Sequence, residues 1–420
     1  MNDRVKFTES CQDSSDKSIS MTEALAVIGQ KIDAISGFHC VALRNGLGRI
    51  LAEPIISPMN VPAHRNSAMD GYALRGEDLP TQGRAELQVI GTAFAGRPFA
   101  GQLSEGQCIR IMTGAKMPDA ADTVVMQERA ERSGNTILID ADNRPGQNVR
   151  QAGEDILRES LVLESGRRIN ASQLGLLASL GIAELRVRRR PRVAFFSSGD
   201  EVRSIGEVLE EGQIYDSNRY TLHGMLSRLD VEVIDLGVVP DREESISTAL
   251  QEASQENDLI LTSGGISVGE ADHVMAAMRR LGTIHFSKVA IKPGRPLTFG
   301  HIGNTPFFGL PGNPVAVMTT FLQFVRPAIV RMRSEIDLTL PLFETTCRSK
   351  LRKSPGRTEF QRGVMHREPD GTWAVRSSGR QGSGVLSSMS DGNCFIVLPE
   401  ERGSVEPGET VQVQPFALFD

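Results

Sequence analysis

Apolar and polar positions alternate along this chain in two rhythms, and the change between them marks its architecture. Near the start, Ser20-Met21-Thr22-Glu23 has the form of a capping box. Leu25, Ile28 and Ile32 follow at helical spacing, which predicts an amphipathic helix over 21–35. Short apolar runs then alternate with Pro and Gly through LQVIGTAFAG, TVVMQERA and TILID, the pattern of a compact β-rich module over 57–149. A second helix opens at Asn170, with Gln173 completing another box. It carries Leu174, Leu177 and Leu180 and stops at Gly181. The run Arg188-Arg189-Arg190-Pro191-Arg192 reads as a solvated boundary.

From Val193 the rhythm becomes strand, loop, helix. Strands are expected at 193–198, 231–239, 258–263, 285–291 and 306–310, and helices at 219–229, 243–253, 272–281 and 314–332. That alternation predicts an α/β domain with a doubly wound parallel sheet. After residue 334 the helical pattern ends. FETTCRSKLRK, EFQRGVMH, TWAVRSS, NCFIVLP and ETVQVQPF predict a small C-terminal β-barrel.

At 420 residues the chain requires several domains. A net charge of −6, one Trp and three Tyr argue against nucleic-acid binding by bulk charge or base stacking. No apolar run reaches the ~18 residues of a membrane span. The first 18 residues are polar, lack a secretory h-region and read as a disordered tail. Cys11, Cys40, Cys108, Cys347 and Cys394 are scattered without a CxxC, which suits free thiols in a reducing compartment and no zinc site.

In a doubly wound sheet, ligands bind at the carboxyl ends of strands. TSGGISVGEAD (262–272) sits at such an end. Strand, Gly-rich turn and helix aim backbone N–H groups at an anion, and Gly264, Gly265 and Gly269 let a ligand approach closely. Ser267 lies within the same turn. Glu270 and Asp272 would repel a bare phosphate, so they point to a bridging metal ion and a metal-assisted phosphate or nucleotide site. SSGDEV (197–202) brings Ser198 and Glu201, and VVPDRE (238–243) brings Asp241. Glu201, Asp241 and Asp272 together suit an oxygen-ligated Mg²⁺. KVAIKPGRP (288–296) brings Lys288 and Lys292, which alternation puts on one face of a strand and its exit, along with Arg295. Two cations there suit a dianion or pyrophosphate. LPGNPVAV (310–317) offers Pro311, Gly312 and Pro314, the last at a first helical position. A lone Asp or Lys in a turn is ordinarily a solvated cap, and SGDE alone reads as an N-cap with helix-dipole acids. The joint pattern along one sheet edge is what points to a site. In the β-rich half, NSAMDGYA (66–73), IRIMTGA (109–115) and VRQAGEDI (149–156) carry Asp70, Thr113, Arg150 and Asp155. Each alone reads as turn chemistry.

Taken in order, NSAMDGYA, IRIMTGA, GEDI, SSGDE, SGGISVGEAD, AIKPGRP, LPGNPVA and FQRG resemble the MoeA family of molybdopterin molybdenumtransferases, to which the gephyrin E domain is related. The resemblance runs from residue 19 to the C-terminus. It implies an elongated discontinuous domain (19–56 and 150–190), the β-rich insertion (57–149), a molybdopterin-binding doubly wound domain (191–335) and the barrel (336–420). It further implies a cytoplasmic homodimer whose active site is shared between subunits, with Mg²⁺ as cofactor and possible contact with the molybdopterin adenylyltransferase. The implied substrates are molybdate and adenylyl-molybdopterin. Carried over by motif, Asp70, Asp155, Glu201, Asp241, Asp272, Lys288 and Lys292 are the catalytic set. Thr113, Arg150, Ser198, Gly264, Gly265, Ser267, Gly269, Pro311, Gly312 and Pro314 bind substrate, and Arg357, Arg362 and Ser383 reach molybdate. Arg295 stands where many relatives carry Lys. Two other functions compete: a scaffold without turnover, against which the retained acids speak, and an adenylyltransferase-type enzyme, against which the β-rich half and FQRG tail speak.

Overall fold

The computed structural model describes residues 18–265, 273–336 and 341–418. The chain forms two compact units. Of the described residues, the larger takes in 18–39, Gly48–Ile50 and those from Arg188 onward, and the smaller takes Cys40–Leu47 and Leu51–Val187.

The larger unit is built on a six-stranded sheet. Its strands are β1 (Arg192–Ser198), β2 (Glu232–Val239), β3 (Leu259–Ser263), β4 (Thr283–Lys288), β5 (Pro296–Ile302) and β6 (Thr305–Leu310), in the order β2-β1-β3-β6-β5-β4. The β2-β1-β3-β6 ladders are parallel. β3 and β6 are buried along their whole length, as expected of strands covered on both faces. Helices α1 (Ser217–Ser227), α2 (Glu243–Glu256), α3 (His273–Leu281) and α4 (Pro314–Met332) supply that cover. Leu222 and Leu226 of α1 and Phe321 and Phe324 of α4 pack in one core. Ile246 and Leu250 of α2 with Val274 and Met278 of α3 pack in the other. α4 is long and apolar enough to cross a membrane by composition, but 78% of it is buried in the protein, so it is a core helix.

Three expectations are corrected here. The strand expected at 285–291 is two elements: β4 ends at Lys288, and Ile291–Lys292 joins a different sheet. β5 was not expected, and it runs antiparallel to both neighbours, so the sheet is mixed at this edge. Its signal was the two-residue Gly303-Asn304 turn, a hairpin connection with Gly303 at φ +57°. The arginine run is not simply a solvated linker. Arg189 grips the Asp258 carboxylate through two bonds of 2.6 Å, and Arg190 pairs with Asp230 at 2.6 Å.

The first helix forms over Met21–Lys31 with the reciprocal Ser20–Glu23 box. It ends short of residue 35 because Ile32 is already extended. Its buried face, Ala24 and Ile28, enters the larger unit's core with Ile32 and Ile35. This segment therefore packs into the core beneath the doubly wound sheet.

In the C-terminal part, Phe343–Cys347, Thr358–Arg367, Trp373–Ser377, Cys394–Leu398 and Thr410–Pro415 close into a five-stranded barrel. Ile291–Lys292 adds to it as a sixth, parallel strand, with Lys292 opposite Glu359.

The smaller unit holds a six-stranded sheet in the order Thr123–Met126, Gly71–Leu74, Gln107–Ile111, Arg84–Ala93, Thr136–Asp140, Ala130–Ser133. It also holds the expected helix, Ala171–Ser179, with both halves of the Asn170–Gln173 box in place. The four described cysteines are free thiols. Burial pushes Cys108 and Cys394 up to about 12, which makes them poor nucleophiles.

On β4 and β5, His285 Nε2 lies 3.0 Å from His301 Nδ1, and His301 Nε2 lies 3.1 Å from the Lys31 carbonyl. A carbonyl only accepts, so His301 carries its proton on Nε2 and takes one from His285 at Nδ1. That arrangement leaves His301 neutral. Burial lowers both from their ordinary value. For His285 the Lys31 charge, and that of His301 whenever it protonates, add to this, and for His301 the Lys31 carbonyl and Asp33 oppose it. A base lowered in the folded state gives stability that is whole above its unfolded pKa, ~6.5, and declines as pH falls below it. The unfolding midpoint should therefore drop between about pH 6.5 and 5. In His285→Phe, which can pack on Phe299, that drop should shrink. An unchanged slope in the variant would remove the pair from the account.

Candidate functional site

The strand ends of the doubly wound sheet, the N-terminus of α4 and one rim of the barrel enclose a cleft of about 900 Å³ within the larger unit. Ser198 closes β1 and is buried. Its hydroxyl donates to Asp241 Oδ1 at 2.9 Å, which ties the ends of β1 and β2 together. Glu201 folds back over the same loop: a Cβ on Gly199 would meet its Oε2 at 2.7 Å.

Gly264 leaves β3 at φ +89°, and its N–H donates to the Leu310 carbonyl at 3.2 Å. A Cβ there would run into the Ser198 carbonyl oxygen. Gly265, at φ +65°, has Val274 Cγ2 2.6 Å from where its Cβ would be. Only glycine lets β1, β3 and the start of α3 come this close. Pro311, Gly312 and Pro314 line the opposite wall, with Pro314 at the first turn of α4. The α4 N-terminus is also tied to the barrel side, since the Val315 N–H donates to the Ser383 carbonyl at 3.1 Å. Lys292, Arg295, Arg357 and Ser383 complete the rim.

The expected set is thus largely assembled: Ser198, Glu201, Asp241, Gly264, Gly265, Lys292, Pro311, Gly312, Pro314, Arg357 and Ser383 share one cleft. Ser267, Gly269 and Asp272 lie outside the described residues. Among the described residues no group of three or more His, Cys, Asp or Glu could hold a metal ion, so the expected triad is represented here by Glu201 and Asp241.

Two residues are placed differently from the sequence expectation. Lys288 ends β4 and does not line the cleft, while Lys292 sits on the barrel's added strand, so the two do not share a strand face. Arg362 is 1% exposed and also lies outside the cleft. Its guanidinium donates to Ser388 Oγ at 3.0 Å and to the Gly382 carbonyl at 3.0 Å, and burial pushes it down to about 10. It holds the 380–382 segment, and with it the approach to Ser383, from behind.

Sequence reasoning missed Asn218 and Gln381. Asn218, on the first turn of α1, donates to Ser263 Oγ at 2.8 Å and to the Gly312 carbonyl at 2.7 Å, bridging the loops after β3 and β6. Gln381 lines the cleft and makes a two-way bond with the Arg362 backbone, accepting at 2.8 Å and donating at 2.9 Å. Amides acting through distant partners have no local pattern to betray them.

In the smaller unit, Asp70 Oδ1 accepts from both the Thr113 N–H and its hydroxyl, each at 2.7 Å. These two bonds hold the Asp70 carboxyl below its ordinary value. Arg150 pairs opposite Asn66, four residues before Asp70, on a short antiparallel ladder. Asp155 is anchored by its own N–H to the Val61 carbonyl at 3.0 Å, and its side chain is exposed.

Three family models account for most of the chain. The MoeA N-terminal region (domain I and II) matches residues 19–181, the probable molybdopterin binding domain matches 194–331, and the MoeA C-terminal region (domain IV) matches 344–416. A molybdopterin molybdenumtransferase of Haemophilus influenzae is 45% identical over 89% of this chain and 93% of its own. The chain belongs to the MoeA family. Other MoeA relatives reach further afield. Gephyrin of Dictyostelium discoideum is 32% identical over 93% of this chain, which spans 61% of that longer protein. The crystal structure of a molybdopterin biosynthesis MoeA protein from Pyrococcus horikoshii superposes with a TM-score of 0.84 at 30% identity, covering 95% of this chain and 100% of that one.

Proposed function

We propose that this protein is a molybdopterin molybdenumtransferase, which inserts molybdenum from molybdate into adenylyl-molybdopterin and releases AMP. The observation that carries the reading is the composition of the cleft. Glycine-built strand ends bring the backbone close to the cleft at one side, carboxylates stand at the ends of β1 and β2, and cations that suit phosphate and molybdate oxygens stand at the barrel rim. Family membership supports it. The donor set at the strand ends is all oxygen, as Mg²⁺ requires. Glu201 and Asp241, with Asp272, would hold that ion, which when bound would offset charge on the phosphate oxygens. Ser198 orients Asp241. Lys292, Arg295 and Arg357 would draw the molybdate dianion to the rim.

The same reading makes the protein a cytoplasmic homodimer of four-domain subunits, in which Asp70, Thr113, Arg150 and Asp155 serve the partner subunit's cleft. The molybdopterin adenylyltransferase would then be the supplier of substrate. The test is AMP release from adenylyl-molybdopterin with and without molybdate and Mg²⁺, alongside light scattering. Release that depends on molybdate, from a dimer burying at least ~1,000 Å² between subunits, is expected. Release indifferent to molybdate would defeat the assignment, and a stable monomer with full activity would defeat the shared site.

A further inference from the structure

Lys292 stands in a wall between two hollows. One is the cleft; the other, of about 210 Å³, shares Lys292, Pro293 and Gln381 with it and extends into the barrel. Glu359 lines only the second. Its Oε1 accepts from Lys292 Nζ at 3.2 Å, with the lysine side chain 50% exposed and the glutamate side chain 5%. The other oxygen, Oε2, accepts from Gln361 Nε2 at 3.2 Å, and that amide also donates to the Arg352 carbonyl at 3.1 Å. The backbones are fixed too: Lys292 faces Glu359 in register, and the Thr358 N–H donates to the Ala290 carbonyl at 3.0 Å.

We infer that Glu359 is a positioning residue for the oxyanion: it holds the Lys292 ammonium in place from the side away from the cleft. A lysine ammonium has three donors on a flexible four-carbon stem. Glu359 takes one donor and fixes the direction of the stem, which leaves the others for an oxyanion in the cleft. A half-exposed ion pair alone would count for little. This one differs because its carboxylate is buried and gripped at both oxygens, so the glutamate cannot follow the lysine and the lysine must come to it. The chemistry is that of a compact tetrahedral dianion, read by point charge. The inference rests on molybdate being the ion used in the cleft.

The experiment measures molybdate binding to the intact protein by calorimetry, and molybdate-dependent AMP release, in Glu359→Gln, Glu359→Asp, Lys292→Ala and Lys292→Ala/Glu359→Gln. Glu359→Gln should weaken molybdate binding and raise its half-saturating concentration roughly tenfold, with kcat within about twofold. Glu359→Asp should recover part of the loss. The double variant should bind molybdate no worse than Lys292→Ala, because Glu359 reaches the oxyanion through that lysine and its effect on the buried Lys353 is not on the cleft side. Unchanged molybdate affinity in Glu359→Gln, or penalties that multiply in the double variant, would overturn the role. If Glu359→Gln does not fold, Gln361→Met tests the same point by removing one grip on the carboxylate. A rise of roughly threefold, absent in a Lys292→Ala background, is expected, and no rise overturns the inference. A wild type that binds molybdate without releasing AMP would overturn the proposed reaction while leaving the Glu359 comparison intact.

Discussion

Gly264→Ala should lose at least ~100-fold in turnover and on the order of 3 kcal/mol in stability, whereas Gly303→Ala should lose only about 1 kcal/mol and keep its turnover. Both glycines sit in the left-handed region, at φ +89° and +57°. Any side chain carries the conformational cost of that region. What separates them is space: a Cβ at Gly303 meets nothing within 4 Å, while one at Gly264 strikes the Ser198 carbonyl. Relief requires β1 and β3 to part at the cleft, and a shift of an ångström between reacting groups is worth about two orders of magnitude in rate. Denaturant titration and AMP release measure the two effects. Wild-type turnover in Gly264→Ala would mean that the close approach of these strands has no bearing on the chemistry.

Asp241→Ala should lower kcat by roughly 100- to 1,000-fold, the scale of removing one electrostatic group from the reacting centre. Stability should fall by only about 1 kcal/mol, since the loss leaves the buried Ser198 hydroxyl without its acceptor. Ser198→Ala should lower kcat by roughly tenfold, through the lost orientation of Asp241. In an Asp241→Ala background it should have no further effect, because the two act as one unit. Multiplying penalties would assign Ser198 a role of its own.

What could be read from the sequence was local. The two capping boxes, Ser20–Glu23 and Asn170–Gln173, are made by residues three apart, and both form as read. The strand ends carrying Ser198, Asp241 and Pro311 were legible because each follows an apolar run bounded by turn residues. What escaped depends on distant partners. Lys288 and Lys292 look like neighbours on one strand, but the chain leaves the sheet after Lys288 and pairs with residues 358–359. Arg362 sits in a motif beside cleft residues, yet its burial is decided by Ser388 and the 380–382 carbonyls. The arginine run around Pro191 carried no hint of Asp230 or Asp258, which lie 40 and 69 residues from their partners Arg190 and Arg189.

The short strand Ile291–Lys292 has a consequence for how this protein can be taken apart. It belongs in sequence to the doubly wound domain and in hydrogen bonding to the barrel, so the two share a ladder across the usual cut point between them. A chain shortened before residue 344 would strip Lys292 of its backbone partner and of Glu359 while leaving the parallel strands β1, β2, β3 and β6 whole. The barrel is therefore not an interchangeable cartridge. Grafting one from a distant relative should transfer the activity only where its first long strand reproduces the Thr358-Glu359 register, and recombination between relatives should be best tolerated at crossovers that move 288–296 and the barrel as a single inherited block.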